Sequence, residues 1–194
     1  MILAYRVLTT FLYPFLIILV YFRKFLKKED PKRFKEKIFT SHFGTAENSN
    51  FRLAWFHAAS IGELKSIIPI INQLNHVHKN FRFLVTTSTF SSGKIADLEL
   101  KKFNNVLHRY CPFDVPFLID SFLNTWKPNK ILLVDSEIWP NLILKAEKYG
   151  IPIALINARL TSKSFNKWMI FPNMAKKIFG IFDLFIFANI NRSK

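Results

Sequence analysis

Cysteine, glycine and acid are all scarce in this 194-residue chain. The single Cys111 cannot form an intramolecular disulfide and cannot by itself build a thiolate metal cluster, so the chain is compatible with a reducing compartment. Only five glycines are present and none falls in a Gly-x-Gly-x-x-Gly pattern. No P-loop occurs either, so neither NAD nor ATP use is supported. The absence of a Gly-x-Ser-x-Gly elbow removes the usual esterase reading. Among five histidines only His76 and His78 are closely spaced, which is no zinc-ligand pattern, and no metal site is expected. Acids number 13 against 28 Lys and Arg, for a formal charge of +15. Such an excess suits an anionic partner: nucleic acid, phospholipid head groups or a phosphorylated substrate.

Half of the residues are apolar, enough for one well-buried domain. Residues 7–22 are apolar apart from two Thr and two Tyr, and eight basic against three acidic residues follow over positions 23–37. Arg23-Lys24 stands where a signal peptide would place small residues for cleavage, so residues 1–25 are expected to form a membrane-anchoring helix. Residues 26–50 then form a basic juxtamembrane segment and linker on an anionic cytoplasmic leaflet. A nucleic-acid partner would leave the apolar amino terminus unexplained, and none is expected. The rival for 7–22 is a buried core helix.

From residue 51 to 194 short apolar runs alternate with longer amphipathic ones. Strands are predicted at 53–57, 82–87, 105–110, 130–134 and 153–157, and helices at 62–77, 91–101, 115–125, 138–149 and 162–179. Regular β-then-α spacing predicts an α/β fold, a doubly wound parallel sheet of Rossmann-like type, in which ligands bind beyond the carboxyl ends of the strands.

Several polar residues fall at those ends. Glu63, just after Ser60 and Gly62, sits in the first turn of a helix, where the dipole favours an ionised carboxylate; it is either a general base or one of many first-turn acids. Asp135 and Glu137 follow an apolar strand and precede Trp139-Pro140. They suit stabilisation of positive charge developing on a substrate, and Glu137 serves equally well as cap of the helix expected from Ile138. Thr86, Thr87 and Ser88 offer hydroxyls at a strand-to-helix junction, with Thr87 a substrate-binding candidate. Asn157 and Arg159 end the last strand. A guanidinium there either grips a carboxylate or phosphate, or pairs with Asp135 or Glu137 as scaffold. Asp114, before Val115-Pro116, reads as a helix cap.

The runs Trp55-Phe56-His57-Ala58-Ala59-Ser60-Ile61-Gly62-Glu63, Asp135-Ser136-Glu137-Ile138-Trp139-Pro140-Asn141 and Asn157-Ala158-Arg159-Leu160 together resemble the amino-terminal half of the 3-deoxy-D-manno-octulosonic acid (Kdo) transferases. The resemblance implies the first domain of a two-domain GT-B glycosyltransferase that carries Kdo from CMP-Kdo to a lipid A precursor in lipopolysaccharide biosynthesis. It implies Glu63 as the base that deprotonates the acceptor hydroxyl, with inversion, and Asp135 as the transition-state stabiliser, where the family pattern has Glu. It implies Ser60, Gly62, Thr87, Asn157 and Arg159 as substrate contacts and CMP-Kdo as donor substrate, with no other cofactor. The setting implied is the cytoplasmic face of a Gram-negative inner membrane, against anionic lipids. The donor-binding second domain is expected to be absent from these residues. Either a separate donor-domain polypeptide completes the enzyme, or the chain is a truncated remnant that binds lipid or acceptor without transfer.

Overall fold

The computed structural model describes residues 2–44, 51–159 and 162–188. Six strands alternate with helices after residue 51: β1 (Arg52–His57), α3 (Ile61–Val77), β2 (Phe81–Thr87), α4 (Phe90–Glu99), β3 (Val106–Tyr110), α5 (Pro116–Trp126), β4 (Lys130–Val134), α6 (Pro140–Lys148), β5 (Ile153–Ala158), α7 (Ser162–Met169), α8 (Pro172–Phe179) and β6 (Leu184–Phe187). Helix starts follow local chemistry. The Ser60 and Thr89 side chains cap α3 and α4, while proline occupies the first turn of α5, α6 and α8, where its missing N–H is no loss.

All strand pairings are parallel and the sheet order is β3-β2-β1-β4-β5-β6, so the doubly wound expectation holds. The order reverses between β1 and β4, which opens a crevice at their carboxyl ends. Both sheet faces are covered, which is why the strands read as nearly continuous apolar runs. On one face Ala54, Phe56, Phe83 and Val85 pack against Leu64, Ile67 and Ile71 of α3 and Ala96 of α4. On the other, Trp55, Leu84, Ile131 and Leu133 meet Leu118 and Phe122 of α5, Leu142 and Ile143 of α6 and Ile178 of α8.

Several boundaries differ from expectation. The helix expected over 162–179 is two helices, because Pro172 has no N–H to continue α7 and instead opens α8. A sixth strand, β6, pairs with β5, and the run Leu-Phe-Ile-Phe that forms it was not read as a strand.

The expected single anchor helix is instead a bent pair, which only taken together has the length and composition of a span. Residues 2–25 form two helices, α1 (Ile2–Phe11) and α2 (Tyr13–Phe25), bent by 50° at the break, and no single described helix is long and apolar enough to cross a membrane. One side of the pair is tied to the domain. The Tyr5 hydroxyl donates to Asp114 (2.9 Å), the Tyr13 hydroxyl donates to the Ile38 carbonyl (2.7 Å), and Val20 is buried with Phe34 and Ile38. The other side is bare: Phe11, Phe15, Ile18, Phe22 and Phe25 are 58–82% exposed.

Residues 26–44 are likewise a folded strap and not a linker; positions 45–50, the rest of that expected segment, lie outside the described residues. Arg33 pairs with Glu36 (2.8 Å) and Asp97 (2.9 Å) and donates to the His108 carbonyl. Lys37 is buried against Glu29, which also holds Arg23 (2.6 Å). These basic residues face acids, because a buried cation without a partner would be costly. Lys24, Lys27, Lys28 and Lys32 remain exposed.

Candidate active site

At the end of β1 the chain turns through Ala58 and Ala59 into α3. Ser60 and Glu63 form a reciprocal cap there. Glu63 N–H donates to Ser60 Oγ (3.3 Å), while the Glu63 carboxylate accepts from the Ala59 N–H (2.8 Å) and from the Ser60 hydroxyl (2.7 Å). Both carboxylate oxygens therefore have a donor. The outer side of the turn is open, since a Cβ at Gly62 would meet nothing nearer than Ser60 Oγ at 4.0 Å.

Across the crevice, β4 ends in a left-handed residue, Asp135 (φ +63°), whose N–H is held by the Ile156 carbonyl (3.0 Å). Asn157 of β5 is left-handed as well (φ +54°), at the register shift between Ile156 and Ala158 in the β5–β6 pairing. Asp and Asn tolerate this conformation better than most residues, and strained positions of this kind cluster at ligand sites. Ser136 Oγ lies 3.1 Å from Asp135 Oδ1 and 3.0 Å from the Arg159 carbonyl, which joins the two strand ends. The exposed Arg159 guanidinium makes no hydrogen bond or ion pair among the described residues, so it is not the scaffold partner of Asp135 or Glu137. Asp135, Ser136 and Arg159 rim a cavity of about 240 Å³ whose wall is Leu155, Trp168, Phe179, Phe185 and Phe187. Leu160, the last residue of that motif, lies outside the described residues.

Glu137 does not cap a helix, because α6 begins at Pro140 and its cap position, Trp139, has no side-chain cap bond. The carboxylate instead accepts from Trp139 Nε1 (2.6 Å) and faces His57 Nε2 at 3.5 Å. Burial disfavours its charge, but these two neighbours outweigh that and hold it below the usual carboxylate range. His57 is wholly buried. Burial works against protonation, yet the Cys111 sulfur and the Glu137 carboxylate overcome it and push His57 up to about 10. His57 was present in the leading motif without a role assigned; its place at the last position of a buried strand, ahead of the small residues, was the available signal.

Asp114 is a cap, but for a different helix from the one expected. Its carboxylate accepts the N–H groups of Asn141 (2.9 Å) and Leu142 (2.9 Å) in α6, while α5 begins at its own Pro116 without a side-chain cap. Burial pushes Asp114 up to about 6 despite those donors. The hydroxyl cluster is corrected too. Thr87 is fully buried with its hydroxyl 2.9 Å from His108 Nε2, Thr86 Oγ1 accepts from Trp55 Nε1 (2.8 Å), and Thr89 with Ser92 caps α4. These hydroxyls satisfy the interior, so Thr87 does not face a ligand. The structure thus gathers Ser60, Gly62, Glu63, Asp135, Glu137, Asn157 and Arg159 around the carboxyl ends of β1, β4 and β5, and leaves Thr87 inside.

The fold and site define a doubly wound α/β domain with carboxylates on both sides of its switch point and an exposed guanidinium beside them. Its fold is similar to that of a protein described as a UDP-N-acetylglucosamine 2-epimerase from Listeria monocytogenes, with a TM-score of 0.50 at 12% identity, covering 71% of this chain and 38% of that one. The family model described as 3-deoxy-D-manno-octulosonic-acid transferase (kdotransferase) matches residues 32–193, and the chain belongs to this family. It is 38% identical over 166 residues to a mitochondrial protein of Arabidopsis thaliana described as a probable 3-deoxy-D-manno-octulosonic acid transferase, covering 84% of this chain and 36% of that protein. It is 34% identical over 182 residues to the 3-deoxy-D-manno-octulosonic acid transferase of Rickettsia bellii, covering 94% of this chain and 40% of that enzyme. The chain therefore spans well under half the length of these relatives.

Proposed function

We propose that this chain is the acceptor-side domain of a Kdo transferase that moves Kdo from CMP-Kdo to a hydroxyl of a lipid A precursor in lipopolysaccharide biosynthesis. The observation that carries the reading is the convergence of Glu63 with Asp135 and Glu137 on the crevice between β1 and β4, in a chain of this family. Glu63 takes the proton of the acceptor hydroxyl as its oxygen forms a bond to the anomeric carbon, and the bond from that carbon to the CMP phosphate breaks, with inversion. For this the Ser60 hydroxyl turns away from Glu63 Oε1, freeing one oxygen while the Ala59 N–H keeps the other in place. Asp135 stabilises positive charge developing on the sugar. Arg159, with no competing acid, binds the Kdo carboxylate or an acceptor phosphate, and Ser60, Gly62 and Asn157 border the same crevice. No metal or further cofactor takes part in this reading.

Membrane contact in this reading is in the plane of the surface. The bare apolar side of α1 and α2 enters the inner cytoplasmic leaflet, and Lys24, Lys27, Lys28 and Lys32 meet anionic head groups. A donor-binding polypeptide or domain holds CMP-Kdo. The test is transfer of labelled Kdo to a lipid A precursor in mixed micelles, by this chain alone and by this chain supplemented with a polypeptide covering the rest of the Rickettsia bellii relative, alongside equilibrium binding of each substrate. Acceptor binding by the chain alone, with transfer only in the supplemented mixture, is the expected result. Failure to bind the acceptor under either condition refutes the proposal.

A further inference from the structure

His57 and Glu137 come from opposite sides of the crevice and their environment is unusual enough to define a device. His57 is the last residue of β1 and its ring is fully buried. Nδ1 lies 2.9 Å from Thr86 Oγ1 of β2, and that oxygen already accepts the Trp55 indole N–H (2.8 Å). The Thr86 hydroxyl proton has two outlets: Nδ1, or the more distant Phe56 carbonyl at 3.5 Å. Both arrangements accommodate a proton on Nε2, which the facing carboxylate favours. If Thr86 donates to Nδ1, the neutral ring must be protonated at Nε2. If Thr86 donates to Phe56, Nδ1 must itself be a donor, and the ring satisfies both sides only as the cation.

Nε2 has no hydrogen-bond partner within reach, yet it points at Glu137 Oε2 3.5 Å away. That same oxygen receives the Trp139 indole N–H at 2.6 Å, and the Trp139 ring stands edge-on to the imidazole with centroids 5.0 Å apart. The titratable groups facing the ring are Glu137, after β4, and Cys111, after β3. The indole thus closes over the imidazole, and the Glu137 carboxylate is the group that Nε2 faces across the crevice. Glu137 and Asp135 share one short loop, and Asp135 is bound to the backbone of β5. Fixing Glu137 therefore fixes the span between two anchored ends.

We propose that the buried His57 and the half-buried Glu137 form an ion pair that locks the loop 135–139 across the crevice, with His57 acting as a positioning residue for the carboxylates of that loop. The relay runs Trp55, Thr86, His57, Glu137, Trp139, from β1 through β2 to the loop after β4. The functional meaning of the lock rests on the transfer reading above, whereas the pair itself does not.

The pair can be read without turnover. Long-range proton–nitrogen correlation spectra of the histidine rings, with the Trp139 indole resonance assigned, report it directly between pH 5 and 10. We expect both His57 nitrogens to show imidazolium shifts at pH 8, and the Trp139 indole proton to lie downfield and to move upfield only when His57 loses its charge. In Glu137→Gln, His57 should be neutral at pH 8, and in His57→Gln the Trp139 indole proton should shift upfield. A neutral His57 at pH 7 in the parent overturns the proposal, as does an indole resonance that ignores the His57 titration. The parent titration decides even where a variant fails to fold. Loss of the pair would leave the transfer assay standing, and failure of transfer with the pair intact would sink only the catalytic reading.

Discussion

Glu63→Gln separates the two duties that meet on one carboxylate. In the folded chain Glu63 accepts from the Ala59 N–H at 2.8 Å and from the Ser60 hydroxyl at 2.7 Å. An amide keeps the length and planar shape. Its oxygen can retain the Ala59 N–H, and its NH2 can donate to Ser60 Oγ once that hydroxyl rotates. The cap is therefore preserved with reversed polarity, and only the charge is lost. A carboxylate at a helix amino terminus contributes about 0.3–1 kcal/mol, and exchanging two charge-assisted hydrogen bonds for neutral ones adds a similar amount. The expected loss of stability is about 1 kcal/mol, small against the roughly 5–15 kcal/mol typical of a domain.

Transfer should respond on another scale. Removing a general base lowers the rate by about two to four orders of magnitude, and acceptor binding should hardly change because the shape of the turn is kept. Urea unfolding of the chain followed by tryptophan fluorescence measures the first effect, and labelled-Kdo transfer in the supplemented mixture measures the second. Transfer within a few-fold of the parent, together with a stability loss near 1 kcal/mol, would assign Glu63 to capping alone.

Three further outcomes are expected. Phe15→Ser combined with Ile18→Ser and Phe22→Ser should release the chain from phosphatidylglycerol vesicles in a flotation assay without lowering its unfolding midpoint, at about 1–2 kcal/mol of lost apolar burial per residue; unchanged flotation would refute the in-plane reading. Gly93→Ala should destabilise the fold by about 1–3 kcal/mol in urea, because a Cβ there would lie 2.1 Å from the Tyr110 hydroxyl and push the buried ring against the strap. Burial and the Arg33 cation depress His108 to about 4, below the value of about 6.5 it has when unfolded. Its contribution is thus present above pH 6.5 and is lost as the pH falls toward 4, a swing of about 3 kcal/mol. His108→Gln should flatten that acid limb, whereas His57, raised to about 10, contributes fully below 6.5 and loses that contribution progressively as the pH climbs from there through about 10. An acid limb of unchanged slope in His108→Gln would refute the His108 assignment.

The alternation of apolar runs with amphipathic ones was enough to show the sheet, because a strand covered on both faces needs apolar residues at successive positions, and Leu53 to Phe56 or Ile131 to Val134 can satisfy little else. The acids at the strand ends were legible for the same reason: polar residues directly after such runs have no core to enter. What stayed hidden depended on distant partners. Nothing in the sequence pairs Arg33 with Asp97 or Lys37 with Glu29, so a basic run expected on a lipid surface is partly internal. Thr87 resembled a ligand contact until His108, from the next strand, took its hydroxyl. Tyr5 and Tyr13 lie in the segment expected to be a membrane anchor, and their hydroxyls tie that segment to Asp114 and Ile38.

Asp at position 135, where the resemblance implies Glu, acquires a physical reason from the backbone. At φ +63° a side chain with a β-methylene pays for crowding against its own carbonyl, and Asp is among the few non-glycine residues that offset this by local hydrogen bonding. Here the Ser136 hydroxyl lies 3.1 Å from Oδ1 and within reach of the Arg159 carbonyl, so the short carboxylate is held at the junction of β4 and β5. A longer side chain would pass beyond Ser136 and lose that support. The methylene missing from the side chain is compensated only if the backbone carries the carboxylate forward, and the left-handed turn, fixed by the Asp135 N–H to Ile156 and by Glu137 at the other end of the loop, is the element able to do so. Position 135 and the proposed His57–Glu137 pair share this one loop, so in that reading the placement of the shorter acid is expected to follow the pair.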